Sequence, residues 1–248
     1  MGNQAAIRFE HVSKAFGQLR VLDDISFEVQ FGEAFCIIGR SGTGKSVMLK
    51  QLIGLIRPDD GKIFIDEEEI TQMRARELSR VRKKMGFLFQ YSALFDSITI
   101  GENVAFPLRR HTGHSEDQIQ QIVQERLAEV GLADQARKMP TELSGGMRKR
   151  AGLARALALE PSILLVDEPS SGLDPITSAE IDELLLDLKL RKKTTLVVVT
   201  HNIPSARRTG DMLALLHHGR ILQQGTVQQI QESDLEIVQQ FMKVQGGT

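Results

Sequence analysis

Tryptophan is absent from this 248-residue sequence, and cysteine and tyrosine occur once each. The single cysteine, Cys36, excludes an internal disulfide framework and a cysteine-based zinc site. It lies in an apolar run, where it reads as a small buried hydrophobe, and so low a cysteine content fits a reducing compartment. A surplus of positive charge is missing too: 31 Lys and Arg stand against 32 Asp and Glu, a formal net charge of −1. No nucleic acid is therefore expected as the main partner, because phosphate backbones call for a basic surplus. No segment reaches the ~18 consecutive apolar residues of a membrane span. The opening MGNQAAIRFEHVSKAF lacks the apolar core of a signal peptide, and Ala6 stands where a myristoylation motif has Ser or Thr. Any membrane role is expected to come through a partner. Internal repeats and low-complexity linkers are also lacking.

What is present is ordinary for a globular chain: 41% hydrophobic and 25% charged residues. Strand-like runs occur at AIRFEHV, LDDISFEV, EAFCIIG, KIFIDE, KMGFLFQ, SILLVDE, TTLVVVT, DMLALLHHG and RILQQGT. Helical spacing follows several of them, at KSVMLKQLIGLI (45–56), SEDQIQQIVQERLAEVGL (115–132, with a Ser cap) and TSAEIDELLLDLKLR (177–191). Buried apolar strands alternating with helices predict an α/β fold with a largely parallel sheet. The first strands look antiparallel. Residues 91–158 interrupt the alternation and read as an inserted helical subdomain. The expected organisation is one domain over 1–248. Residues 1–90 and 159–225 form its core, and 226–248 form a C-terminal helix.

The strongest chemical signal is GRSGTGKS, residues 39–46, which matches G-x-x-x-x-G-K-[ST] between an apolar strand and a helix. Gly39, Arg40, Ser41, Gly42, Thr43 and Gly44 supply a backbone able to wrap phosphate oxygens, and Val47 continues into the helix. Lys45 suits the β- and γ-phosphates, and the Ser46 hydroxyl suits Mg²⁺. SILLVDEPSSGLDP (162–175) is a buried strand ending on two carboxylates. Asp167 is placed to hold Mg²⁺, and Glu168 to polarise a water for attack on the γ-phosphate. LSGGM (143–147) is a turn that caps a helix opening with RKR. Ser144 and the amides of Gly145 and Gly146 make a second anion-binding helix end.

Together these features resemble the nucleotide-binding subunit of an ABC transporter over nearly the whole chain. The P-loop at 39–46, LSGG at 143–146, LLVDEP at 164–169, SGLD at 171–174 and VVVTH at 197–201 carry the resemblance. It implies a P-loop ATPase with ATP and Mg²⁺ as cofactors. Two copies would pair head to tail, so that each ATP lies between one P-loop and the other copy's LSGG turn. It further implies that Phe16 stacks on adenine and that Gln90 reaches Mg²⁺ and the attacking water. Asp174 would cross the dimer interface, and His201 would contact the γ-phosphate. A membrane permease dimer is the implied partner, which places the chain at the cytoplasmic face of the inner membrane. His217 and His218 have no such support and read as structural or solvent-facing.

Met147 stands where glutamine is usual in that family. The phosphate-binding groups, the Ser144 hydroxyl and the backbone amides, survive the exchange. Its expected cost is about one hydrogen bond, ~0.5–1.5 kcal/mol, and the site reads as active. LSGGM followed by RKRAGLARALA resembles the ATPases of Mce-domain lipid transporters, the Mla-type machines. FQYSALFDSITIGENVAFPLR (89–109) and VVVTHNIPSARRTGDMLALLHHGRIL (197–222) look like the same group. A Mce-domain lipid-binding protein and a small regulatory protein are then implied partners. Other substrates, or signalling through a membrane partner as in cell-division ATPases, remain alternatives. The apolar residues Leu94, Phe95, Ile98, Phe106, Pro107 and Leu108 are the expected permease contact. The tail after 226 reads as a helix packed on its own domain. RARELSRVRKKM (74–85) reads as a solvated basic helix face.

Overall fold

The computed structural model describes residues 5–244. Met1 and Gly2, discounted above as an acylation site, and the tail beyond Val244 lie outside the described residues. An antiparallel sheet of order β2-β1-β4-β5 is built from β1 (Ala5–Phe16), β2 (Leu19–Gln30), β4 (Asp60–Ile65) and β5 (Glu68–Glu69). A second sheet has the order β10-β9-β3-β8-β7-β6. Its members are β3 (Ala34–Ile38), β6 (Met85–Leu88), β7 (Ile163–Asp167), β8 (Thr195–Thr200), β9 (Met212–His217) and β10 (Arg220–Thr226). Every pairing in it is parallel except β9–β10. The helices are α1 (Lys45–Leu52), α2 (Ala75–Arg82), α3 (Ile100–His111), α4 (Glu116–Glu129), α5 (Gly145–Ala156), α6 (Pro175–Lys192), α7 (Ile203–Thr209), α8 (Val227–Gln231) and α9 (Glu236–Val244). The α/β expectation holds, with antiparallel first strands as anticipated. None of the described helices is long and apolar enough to cross a membrane.

The central strands are apolar on both sides, so the parallel sheet must be covered on both faces. Alternate residues divide between two cores. Ala34, Cys36, Ile38, Leu164, Val166, Leu196 and Val198 face a layer made by α3 to α9. Phe35, Ile37, Ile163, Leu165, Val197 and Val199 face α1, α2 and the antiparallel sheet. Cys36 is fully buried, as its setting suggested, and burial pushes its thiol up to about 12.

Three local expectations are corrected. The helical pattern at 45–56 stops at Leu52, because Gly54 takes a left-handed φ of 63°. Its amide donates to Gln51 O at 2.9 Å and the Leu55 amide to Lys50 O at 2.9 Å. That paired geometry closes a helix C-terminus. The basic run 74–85 is only partly a solvated face. Leu78 and Val81 are buried, and Arg82 Nε donates to Ile53 O at 2.7 Å, satisfying a carbonyl at the end of α1. The tail forms two helices rather than one. The Ser233 hydroxyl accepts from the Leu235 amide at 3.2 Å and so competes with helical pairing between α8 and α9. Ile230, Val238 and Met242 still pack on the chain's own core.

Asn103 is a residue whose importance the sequence pattern hides. It is fully buried in α3, and its side chain ties down the loop that precedes the helix. Its Oδ1 accepts from the Phe95 amide at 2.8 Å, while Nδ2 donates to Phe95 O at 3.0 Å and Thr99 O at 3.0 Å. Asn103→Ala is expected to cost roughly 2–3 kcal/mol through these lost hydrogen bonds. The measurement is urea unfolding: the midpoint should fall at constant slope, and an unmoved midpoint would show that the loop is held by other contacts.

Candidate functional site

β3, β8, β7 and β6 are adjacent and parallel, so their C-terminal ends share one edge of the sheet. Ligands of open α/β sheets bind outside such an edge. Each strand delivers a residue anticipated from the sequence: the 39–44 loop after β3, His201 after β8, Asp167 and Glu168 at the end of β7, and Gln90 after β6. A cleft of about 520 Å³ collects Phe16, Ser41, Gly42, Gly44, Lys45, Ser46, Val47, Gln90, Glu168 and His201 along its walls. Val21 and Ser171 complete the lining; Ser171 opens the SGLD stretch, whereas Val21 carried no sequence signal. Phe16 is 48% exposed at the rim, with Lys14 Nζ 5.4 Å from its ring centre.

A buried ammonium organises the floor. Lys45 is 5% exposed and donates to Gly39 O at 2.8 Å and Arg40 O at 3.0 Å. Its Nζ lies 3.4 Å from Glu168 Oε1. Burial pulls the Lys45 pKa down, against the raising effect of Glu168. The other Glu168 oxygen accepts from the His201 amide at 3.2 Å and meets His201 Nδ1 at 2.8 Å. Glu168 itself has a left-handed φ of 47°, with its amide held by Val199 O at 2.9 Å. Ser46 Oγ donates to Asp167 Oδ1 at 2.9 Å. Burial pushes the Asp167 carboxyl above its usual range, although the Ser46 hydroxyl opposes the shift.

Some anticipated residues lie elsewhere. Gly39, Arg40 and Thr43 shape the loop through backbone contacts, and Thr43 Oγ1 closes it on Arg40 O at 2.9 Å. Arg40 lines a separate recess with His217, Ile237 and Phe241 and is not among the residues that line the cleft. Ser144, Gly145, Gly146 and Asp174 do not line the cleft. Ser144 caps α5, accepting from the Met147 amide at 3.3 Å. Asp174 caps α6, accepting from the amides of Ile176 and Thr177 at 3.0 Å each. The Met147 side chain packs half-buried against the helical-layer core. An apolar residue therefore suits that position structurally. Gly146 sits so close to α6 that an added Cβ would lie 2.4 Å from Thr177 Cγ2.

The donor set fits nucleotide and magnesium. Gly44 opens α1 at φ 104°, and a Cβ there would strike Leu22 and Val21, so the loop must be glycine to curl over the helix end. The first amides of α1 have no intrahelical acceptor and favour an anion. Ser46 and Asp167 present neighbouring hard oxygens of the type Mg²⁺ takes, and a dication would offset the cost of ionising buried Asp167.

A family model described as ABC transporter matches residues 22–171. The chain belongs to the ABC transporter family. It is 45% identical over 237 residues to the "Probable ribonucleotide transport ATP-binding protein mkl" of Mycobacterium leprae, covering 96% of this chain and 68% of that protein. It is 40% identical to the "Intermembrane phospholipid transport system ATP-binding protein MlaF" of Haemophilus influenzae, covering 97% and 91%. A dimeric post-hydrolysis structure of the ATP-binding cassette MJ0796 bound to ADP and Pi matches with TM-score 0.83 and 33% identity, over 89% of this chain and 98% of that one. The chain is thus an ABC ATPase, with ATP as substrate and Mg²⁺ as cofactor. ABC ATPases dimerise and work with membrane permeases.

The contact between α5 and α6 is testable. Gly146→Ala should destabilise by about 1–3 kcal/mol through overpacking. Adding Thr177→Ser removes the clashing methyl but keeps the hydroxyl on Asp174, and should recover most of the loss in thermal unfolding. No recovery would mean that the glycine is needed for another reason.

Proposed function

We propose that this ABC ATPase is the motor subunit of a transporter that moves lipid with a Mce-type partner. The carrying observation is the end-to-end likeness to the phospholipid-transport ATPase, which this chain matches over 91% of that protein's length. The LSGGM turn and its flanking segments support the same reading. A methionine import ATP-binding protein of Carboxydothermus hydrogenoformans is 42% identical, but over 62% of its own length. Import of another small solute is the second reading.

In the proposed reaction Phe16 stacks on adenine and the 39–47 segment wraps the phosphates. Lys45 exchanges its pairing with Glu168 for the β- and γ-phosphates, which frees the carboxylate. Glu168 then takes a proton from the attacking water, while His201 contacts the γ-phosphate and Gln90 orients the water. Ser46, Asp167 and Gln90 would hold Mg²⁺, which would screen the phosphate charge. Ser144, Gly145, Gly146 and Asp174 serve the second copy across the homodimer interface. Closing and opening move α3 to α5 against the permease. The groove for that contact contains Phe95, Ile98 and Phe106, with the two exposed rings 4.9 Å apart. Leu108 is buried and belongs to the core.

Glu168→Gln should lower hydrolysis by roughly two orders of magnitude or more, as expected for loss of a general base, while ATP still binds. Retained hydrolysis would remove Glu168 from its proposed role. The cargo is tested by purifying the tagged chain from detergent-solubilised host membranes and identifying proteins and lipids by mass spectrometry. A permease with a Mce-domain protein and bound lipid supports the reading. A permease with a soluble solute-binding protein overturns it.

A further inference from the structure

We infer that Lys149 is a positioning residue for hydrolysis: one ammonium from α5 holds the peptide carbonyls of both Gln90 and Glu168. The inference rests on the roles proposed above for those two residues. Lys149 is 4% exposed, and its Nζ donates to Glu168 O at 3.0 Å and also to Gln90 O. No carboxylate pairs with it among the described residues. A lysine buried without an ion pair is retained only where its donors are used, and here both acceptors belong to the reaction loops.

The backbone explains why those carbonyls need holding. Glu168 is left-handed at φ 47°, a conformation that a non-glycine residue keeps only under constraint. Val199 O fixes its amide, and Lys149 fixes its carbonyl. The loop after Gln90 is constrained in the same way. Ser92 and Ala93 are also left-handed, and Arg155 of α5 donates to Ser92 O at 2.8 Å and Ala93 O at 2.7 Å. α5 therefore grips the Gln90 loop at two points, and Lys149 extends the grip to the end of β7. The helix capped by Ser144 is in this way tied to the backbone of the residue whose carboxylate handles water. Phe16, the 39–44 loop and Ser46 are not in that linkage, so its loss should weaken nucleotide binding far less than hydrolysis.

The test compares full-length wild type, Lys149→Met, Lys149→Arg and Glu168→Gln in ATP hydrolysis over a range of MgATP, with thermal unfolding as the check on folding. Lys149→Met should lower kcat about tenfold or more through misplaced groups, with KM and binding of a fluorescent ATP analogue within about twofold of wild type. Lys149→Arg, which keeps the donors, should recover kcat to within about threefold. If Lys149→Met does not fold, Lys149→Gln, which keeps an amide donor but is shorter, takes its place and should show the same split. An unchanged kcat overturns the inference, and so does an equal loss of nucleotide binding. An unchanged rate in Glu168→Gln would instead overturn the reading on which the inference rests.

Discussion

A buried ammonium has to be surrounded by acceptors, and the whole cleft is arranged around that requirement at Lys45. Two carbonyls of its own loop and one oxygen of Glu168 satisfy it. The same Glu168 carboxylate is held on its other side by His201. Three strands therefore contribute to one cluster, in which Glu168 bridges Lys45 and His201. A phosphate offers Lys45 a stronger anion than the one it already has. In the proposed mechanism substrate binding releases the carboxylate that the reaction needs, so the charge cluster is also a means of timing.

The sheet makes this possible because its strands are parallel and adjacent. Their apolar alternation buries one set of side chains against α1 and the antiparallel sheet and the other against α3 to α9. With both faces covered, only the strand ends are open to solvent, and the polar residues gather there. The helix end at Ser144, proposed as a second phosphate-binding end, is not among the residues that line the cleft. One copy thus carries the P-loop cleft and, apart from it, a cap with nothing to close on, which suits a pair of copies facing each other.

Much of this was legible in the sequence because it is local. Short apolar runs located the strands, and the glycine-lysine-serine spacing located the loop. The Ser115 cap needed only its neighbour Gln118 to be recognised. What stayed hidden depends on contacts between distant segments. Arg82 looked like surface charge, yet its partner is a carbonyl 29 residues away. Lys149 looked like part of a basic helix start, and its acceptors lie on two other loops. Met147 looked like a missing polar contact until its packing against the helical core was visible. Gly54 ended α1 because glycine alone accepts the left-handed turn without cost, although the apolar spacing continued beyond it.

The claim that one chain holds half of each composite site is tested most directly by light scattering on Glu168→Gln, with and without ATP and Mg²⁺. The account predicts that mass doubles only when both are present, and that Ser144→Arg prevents the doubling without loosening ATP from the cleft. A mass that stays at one copy under saturating ATP, or a doubling indifferent to Ser144, would contradict it.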